Sequence, residues 1–167
     1  MTLTMPHLID LPSERRTASL ARTLAPHLRA GDTLALHGAI GAGKSTFARA
    51  LIRCRLNAVG LDEDIPSPTF TLVQTYQADD LEIWHSDLYR LTHPDEAFEL
   101  GLDDAFATAL CLIEWPDRLG PDLPAEALHL SFENGASDDA RHLTLTATDP
   151  RWAARLAPIL SDWTAHA

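Results

Sequence analysis

Apolar residues recur along this chain with two different periods, and each period predicts an element. After Ser13, a residue suited to cap a helix, Leu20, Leu24 and Leu28 follow at four-residue spacing. That predicts a helix over residues 14–28, ended or kinked by Pro26. Phe47, Leu51 and Ile52 predict the buried face of a second helix over 45–56. Two short apolar runs, Thr33-Leu-Ala-Leu-His37 and Leu110-Cys-Leu-Ile-Glu114, suit strands buried on both faces of a parallel sheet. Residues 7–11 predict a short first strand. Residues 69–76 and 81–85 predict a strand pair joined by a polar turn at 77–80. Two short helices, 94–100 and 103–110, flank Gly101. Residues 127–132 and 142–148 predict a hairpin around Asn134-Gly135, and 151–163 a closing helix interrupted or bent at Pro158. Strands alternating with helices early and a hairpin late predict an α/β fold: a mainly parallel sheet with helices on both faces and antiparallel C-terminal strands.

No linker, repeat or low-complexity tract breaks the 167 residues, so one domain over 1–167 is expected. No apolar run is long enough for a membrane span, and the first residues lack the basic-then-apolar order of a secretory signal. Cys54 and Cys111 stand alone in no metal-ligand spacing, which excludes a disulfide scaffold or zinc finger and suits a cytoplasmic protein; both fall on predicted buried faces and are expected to be inert. The net charge of −11 is unevenly spread. Residues 1–60 carry +5, residues 61–140 carry −17 and the remainder +1. An acidic chain is a poor ligand for nucleic-acid phosphates, so no direct DNA binding is expected. The acidic stretch is either a solvated face or a surface for a basic partner.

Twelve of the thirteen basic residues are arginine, and the one lysine is Lys44. It stands in Gly38-Ala-Ile-Gly-Ala-Gly43-Lys44-Ser45, which matches G-x-x-x-x-G-K-[ST] at every fixed position. A predicted strand precedes the match and a predicted helix follows. Backbone N–H groups of such a loop cradle phosphate oxygens, with the helix N-terminus adding its positive dipole end. Lys44 is placed to reach the outer phosphates and the Ser45 hydroxyl to hold Mg²⁺. The expected class is therefore a P-loop NTPase.

Hydrolysis also requires an acid on the metal and a group that positions the attacking water. Glu114, where an apolar strand runs out, has the form of the metal acid; a solvated strand end is its alternative. Asp87, in His85-Ser-Asp87-Leu-Tyr-Arg90, is the second acid, or else a cap or a partner of Arg90. Thr69, in Ser67-Pro-Thr69-Phe70, lies where P-loop proteins often sense the γ-phosphate; the alternative is a plain strand threonine. Trp115 either packs on the sheet or lies over the site. His85 reads as a packed or hydrogen-bonded strand residue rather than a ligand.

Taken in order, the phosphate loop, Ser67-Pro-Thr-Phe-Thr-Leu-Val73, His85-Ser-Asp-Leu-Tyr-Arg-Leu91, Glu99-Leu-Gly-Leu-Asp103 and Leu112-Ile-Glu-Trp-Pro116 resemble the TsaE family, small P-loop ATPases of bacterial tRNA threonylcarbamoyladenosine modification. The resemblance spans roughly residues 8–148. It implies slow ATP hydrolysis with ATP and Mg²⁺ as ligands, and action on a TsaD–TsaB complex. TsaC or its relative makes the activated threonylcarbamoyl-adenylate beforehand, and TsaD transfers the group to tRNAs reading ANN codons. Contact with tRNA would then be indirect. By resemblance, Gly38, Ile40, Gly41, Ala42, Gly43, Lys44, Ser45, Thr46 and Trp115 bind ATP, Ser45 and Glu114 hold the metal, and Asp87, Glu114 and Thr69 support hydrolysis. Residues 13–17 would border the adenine. Two positions depart from the family pattern: Ser45 replaces a common threonine and keeps the hydroxyl, and Ala39 replaces a common acidic residue. Two other readings compete: a small-molecule kinase, and a nucleotide-gated binding module without turnover. A kinase normally carries lid arginines, yet residues 61–140 contain only Arg90 and Arg118.

Overall fold

The computed structural model describes residues 4–165. Seven strands form one sheet: β1 (His7–Leu11), β2 (Thr33–His37), β3 (Val73–Ala78), β4 (Leu81–Asp87), β5 (Leu110–Glu114), β6 (Leu128–Asn134) and β7 (Arg141–Thr146). Their spatial order is β1-β7-β6-β2-β5-β4-β3. The four central strands, β6, β2, β5 and β4, are mutually parallel. Antiparallel pairs close both sides, β6–β7–β1 on one and β4–β3 on the other. The expected α/β sheet with a parallel centre is present. Antiparallel pairing also occurs at the β3 edge, because a two-residue turn at Asp79-Asp80, with Asp79 at φ 53°, can only reverse the chain.

Helices cover both faces. α1 (Glu14–Leu24), α2 (Lys44–Ala58) and α5 (Pro150–Ala165) enclose the larger core with Leu34 and Leu36 of β2, Leu110 and Leu112 of β5, and Leu128, Leu130 and Phe132 of β6. α3 (Pro94–Glu99) and α4 (Leu102–Thr108) cover Cys111 and Ile113 on the opposite face. The alternation follows from the period of two along a strand, which sends successive side chains to opposite faces.

Several boundaries differ from expectation. Ser13 caps α1 by accepting from the Arg16 N–H. The α-helix stops at Leu24 and a 3-10 turn, Ala25–His27, continues it, since Pro26 supplies no donor for an α-helical bond. The segment 69–72 is a turn rather than the start of a strand: the Leu72 N–H donates to the Pro68 carbonyl and Leu72 sits at φ 66°. α5 runs unbroken through Pro158. That residue is on the exposed side of the helix, where water can serve the carbonyl it leaves unpaired. α5 fastens to its surroundings through buried Trp152, Leu156, Leu160 and Trp163, through the Trp163 indole donating to Ser19 Oγ (3.2 Å), and through Arg155 on Asp32 (2.6 Å). No helix among the described residues is long and apolar enough to cross a membrane.

Candidate functional site

The site lies at the C-terminal ends of the parallel strands, and strand alternation explains its membership. On β4 the row facing α2 is Leu81, Ile83, His85 and Asp87; on β5 it is Leu110, Leu112 and Glu114. In each row the apolar core residues come first and the polar residues follow. Parallel register sets Asp87 beside Glu114 and His85 beside Leu112. Both carboxylates therefore emerge on the face covered by α2, at the end where open α/β sheets bind ligands. Of the nineteen acidic residues in 61–140, Asp87 and Glu114 alone are buried; fifteen are exposed.

The loop 38–43 joins β2 to α2. Gly38 has φ 145°, and a Cβ there would meet the Phe132 carbonyl at 2.8 Å, so no other residue fits without displacing the loop from β6. Gly43, at φ 107°, is the N-cap of α2. Lys44, nearly fully buried, donates through Nζ to the Gly38 carbonyl (2.6 Å) and lies 3.7 Å from the centre of the Trp115 ring. Burial pushes the Lys44 ammonium below its ordinary pKa, while the nearby Glu114, Asp87 and Asp117 carboxylates oppose the shift. Ser45 Oγ donates to Glu114 Oε1 and Oε2, at 3.0 and 3.2 Å, across 69 residues of chain. Two hard oxygen donors side by side, one a carboxylate, suit Mg²⁺.

His85 is wholly buried, with Nε2 2.6 Å from Glu114 Oε2. The imidazole donates through Nε2, and Nδ1 is left buried without a partner among the described residues. Thr69 Oγ1 donates to Asp87 Oδ2 (3.2 Å) and shares a 2.7 Å hydrogen bond with Ser67 Oγ. The Tyr89 N–H donates to Asp87 Oδ1 (3.1 Å). Thus Asp87 tethers the Ser67–Thr69 turn to the sheet. The expected alternative, a pairing with Arg90, is not formed; the Arg90 guanidinium instead lies over Phe70, 5.0 Å from its ring centre. Trp115 takes a left-handed backbone conformation (φ 58°) that turns its ring toward Lys44 and against Tyr89, with ring centres 5.0 Å apart.

Lys44, Ser45, Thr69, Asp87, Tyr89, Glu114 and Trp115 line one cavity of about 490 Å³. Ile40, Gly41, Gly43, Lys44, Ser45, Thr46, Thr69, Asp87, Glu114 and Trp115 are all on its wall, as sequence reasoning grouped them. Gly38 and Ala42 are behind it, Gly38 as acceptor for Lys44 and Ala42 buried in the core. Glu14 and Thr17 of α1 also line the cavity. Cys111 is buried, with its thiol pushed up to about 12 by desolvation and by the neighbouring Glu82 charge. Cys54 is half-buried rather than buried, its thiol directed to the Arg22 carbonyl.

His85 is a buried, hydrogen-bonded strand residue, as expected; its contact with Glu114 was not anticipated. Two further features were missed from sequence. Arg49 and Arg141 on the cavity wall carried no signal: an arginine on a helix surface or at a strand start is ordinary. A stacked histidine pair was also missed, with His37 Nε2 2.8 Å from His129 Nδ1 and Asp117 3.6 Å from His37 Nδ1. It forms because β2 and β6 are neighbours, and that pairing is not legible in the chain.

A parallel-centred sheet, a glycine loop running into α2 and two carboxylates at the strand ends define an α/β protein of the phosphate-loop class. Residues 11–143 match the family model described as threonylcarbamoyl adenosine biosynthesis protein TsaE. The chain is 39% identical over 139 residues to the tRNA threonylcarbamoyladenosine biosynthesis protein TsaE of Rickettsia conorii, covering 83% of this chain and 77% of that one. Against the Bacillus subtilis protein of the same name the identity is 36% over 137 residues, covering 81% and 82%. The solved structure of Bacillus subtilis YdiB superposes with a TM-score of 0.72 at 26% identity, covering 98% of both chains. The chain belongs to the TsaE family, whose members take part in tRNA threonylcarbamoyladenosine biosynthesis.

Proposed function

We propose that this chain binds ATP with Mg²⁺ in the cavity and hydrolyses it slowly, as the ATPase subunit that acts on a TsaD–TsaB complex during modification of tRNAs reading ANN codons. The observation that supports this most directly is the hydrogen bonding of Ser45 to Glu114, which joins the phosphate-loop hydroxyl to the strand-end carboxylate. In that reading Lys44 neutralises the outer phosphates, and Ser45 and Glu114 hold the metal, which supplies charge neutralisation between phosphates when bound. Asp87, held by Thr69 and the Tyr89 N–H, faces the same space as acceptor for a positioned water. His85 orients the Glu114 carboxylate from behind. Partner stimulation suits a site in which Arg141, one of the two arginines on the cavity wall with Arg49, is already engaged by backbone carbonyls.

The test is phosphate release by the purified chain with Mg-ATP and no acceptor, alone and with TsaD–TsaB, alongside threonylcarbamoyl transfer to tRNA in the reconstituted system. The reading expects slow release alone, faster release with the pair, and tRNA modification that requires this chain. Release only with an added small-molecule acceptor would mark a kinase. Binding without turnover in every mixture would mark a nucleotide-gated module.

A further inference from the structure

Arg141 opens β7, and its side chain crosses to the phosphate loop 100 residues earlier. Nε donates to the Ala42 carbonyl (2.8 Å) and Nη2 to the Gly41 carbonyl (2.8 Å). Nη1 donates to the Asp138 and Ala140 carbonyls at 2.5 and 2.7 Å. Each of these four bonds ends on a backbone carbonyl. A charge placed to meet a ligand phosphate would not have its donors used this way.

A trans peptide points its C=O and N–H in opposite directions. Holding the Ala42 carbonyl toward Arg141 therefore turns the Gly43 N–H away from it, and Gly43 lines the cavity. Holding the Gly41 carbonyl likewise fixes the Gly41–Ala42 peptide, whose N–H closes the loop by donating to the Ala39 carbonyl at 3.0 Å. The planar guanidinium fork reaches both carbonyls at once, which one ammonium cannot do at the same geometry. A Cβ at Gly43 would stand 3.7–3.8 Å from Arg141 Nε and Cγ, in ordinary van der Waals contact.

We propose that Arg141 is a positioning residue that shapes the phosphate loop before nucleotide arrives, aiming the Gly43 peptide at the cavity and tying the loop to the β6–β7 hairpin. This rests on the reading of the cavity as a nucleotide site. The loop's N–H groups bind phosphate only if their orientation is already set, so ordering cost that Arg141 removes in advance returns as affinity.

The test uses the full chain, with Arg141→Lys, Arg141→Ala and Lys44→Ala. Two measurements are made: titration with a fluorescent ATP analogue in EDTA, and amide hydrogen exchange of the nucleotide-free protein. Both Arg141 variants are expected to weaken nucleotide binding by at least about tenfold, the scale of losing charge-assisted hydrogen bonds, with lysine no better than alanine. Exchange at residues 38–43 should accelerate in both, while β2 and the body of α2 stay protected. Wild-type affinity and exchange in both variants would overturn the proposal. Full rescue by lysine would also overturn it, because charge alone would then suffice. Should Arg141→Ala fail to fold, Arg141→Lys carries both readouts. If Lys44→Ala binds nucleotide like wild type, the nucleotide reading fails, and exchange in the nucleotide-free loop then decides the Arg141 clamp by itself.

Discussion

Glu114→Gln separates the geometry of the site from its charge. The carboxylate is buried between Ser45 Oγ and His85 Nε2, at 3.0 and 2.6 Å. An amide of the same shape can still accept from His85 with its oxygen, and its NH2 can donate to the Ser45 hydroxyl. Two charge-assisted bonds become neutral ones, a loss of about 1 kcal/mol each. Removing a buried anion offsets part of that loss. The folded protein should therefore lose no more than about 2 kcal/mol. Hydrolysis should suffer more, because in the proposed function the lost charge is the one that would hold Mg²⁺. A drop of at least about a hundredfold is expected, about 2.7 kcal/mol on the barrier. The assay is phosphate release at saturating Mg-ATP, paired with nucleotide titration in EDTA, where affinity should change less than about threefold. If Glu114→Gln turns over like wild type while Asp87→Asn is inactive, the two carboxylates have been given each other's roles.

Lys44→Ala should abolish tight ATP binding and Lys44→Arg should fail as well, since the guanidinium does not fit between the Gly38 carbonyl and the Trp115 ring; near-normal affinity in both, by titration, would contradict the phosphate-loop assignment. Burial, and for His37 the neighbouring His129, holds both imidazoles below their ordinary value of 6.5, although Asp117 opposes this. The unfolded chain then binds more protons than the folded one as pH falls through 6.5, so stability should fall with it, and His129→Gln should flatten that slope in denaturant titrations across pH. The exposed acidic residues of 61–140 should favour a basic protein surface over tRNA: the isolated chain should not shift tRNA in a gel at physiological salt, and association with TsaD–TsaB should slow as salt rises. Sub-micromolar tRNA binding, or an on-rate indifferent to salt, would reduce the acidic stretch to a solvated face.

Local chemistry determined most of the elements and half of the site. The capping serine, the four-residue leucine spacing and the two short apolar runs specify α1, β2 and β5 through backbone propensity and burial, which are properties of neighbouring residues. The phosphate loop is likewise local: glycines and one lysine between a strand and a helix. Even the buried row of β4 was legible in its alternation, and His85 and Asp87 could have been read from it as a pair. Tertiary structure decided the rest, because it depends on which strands become neighbours. The parallel register of β4 and β5 sets Asp87 beside Glu114, and the approach of α2 to β5 brings Ser45 to Glu114 across 69 residues. The same holds for His37 on His129 and for Arg141 on the Gly41 and Ala42 carbonyls. Such contacts form only when the whole sheet closes, since no local preference of an arginine at a strand start records which loop the fold will bring within its reach.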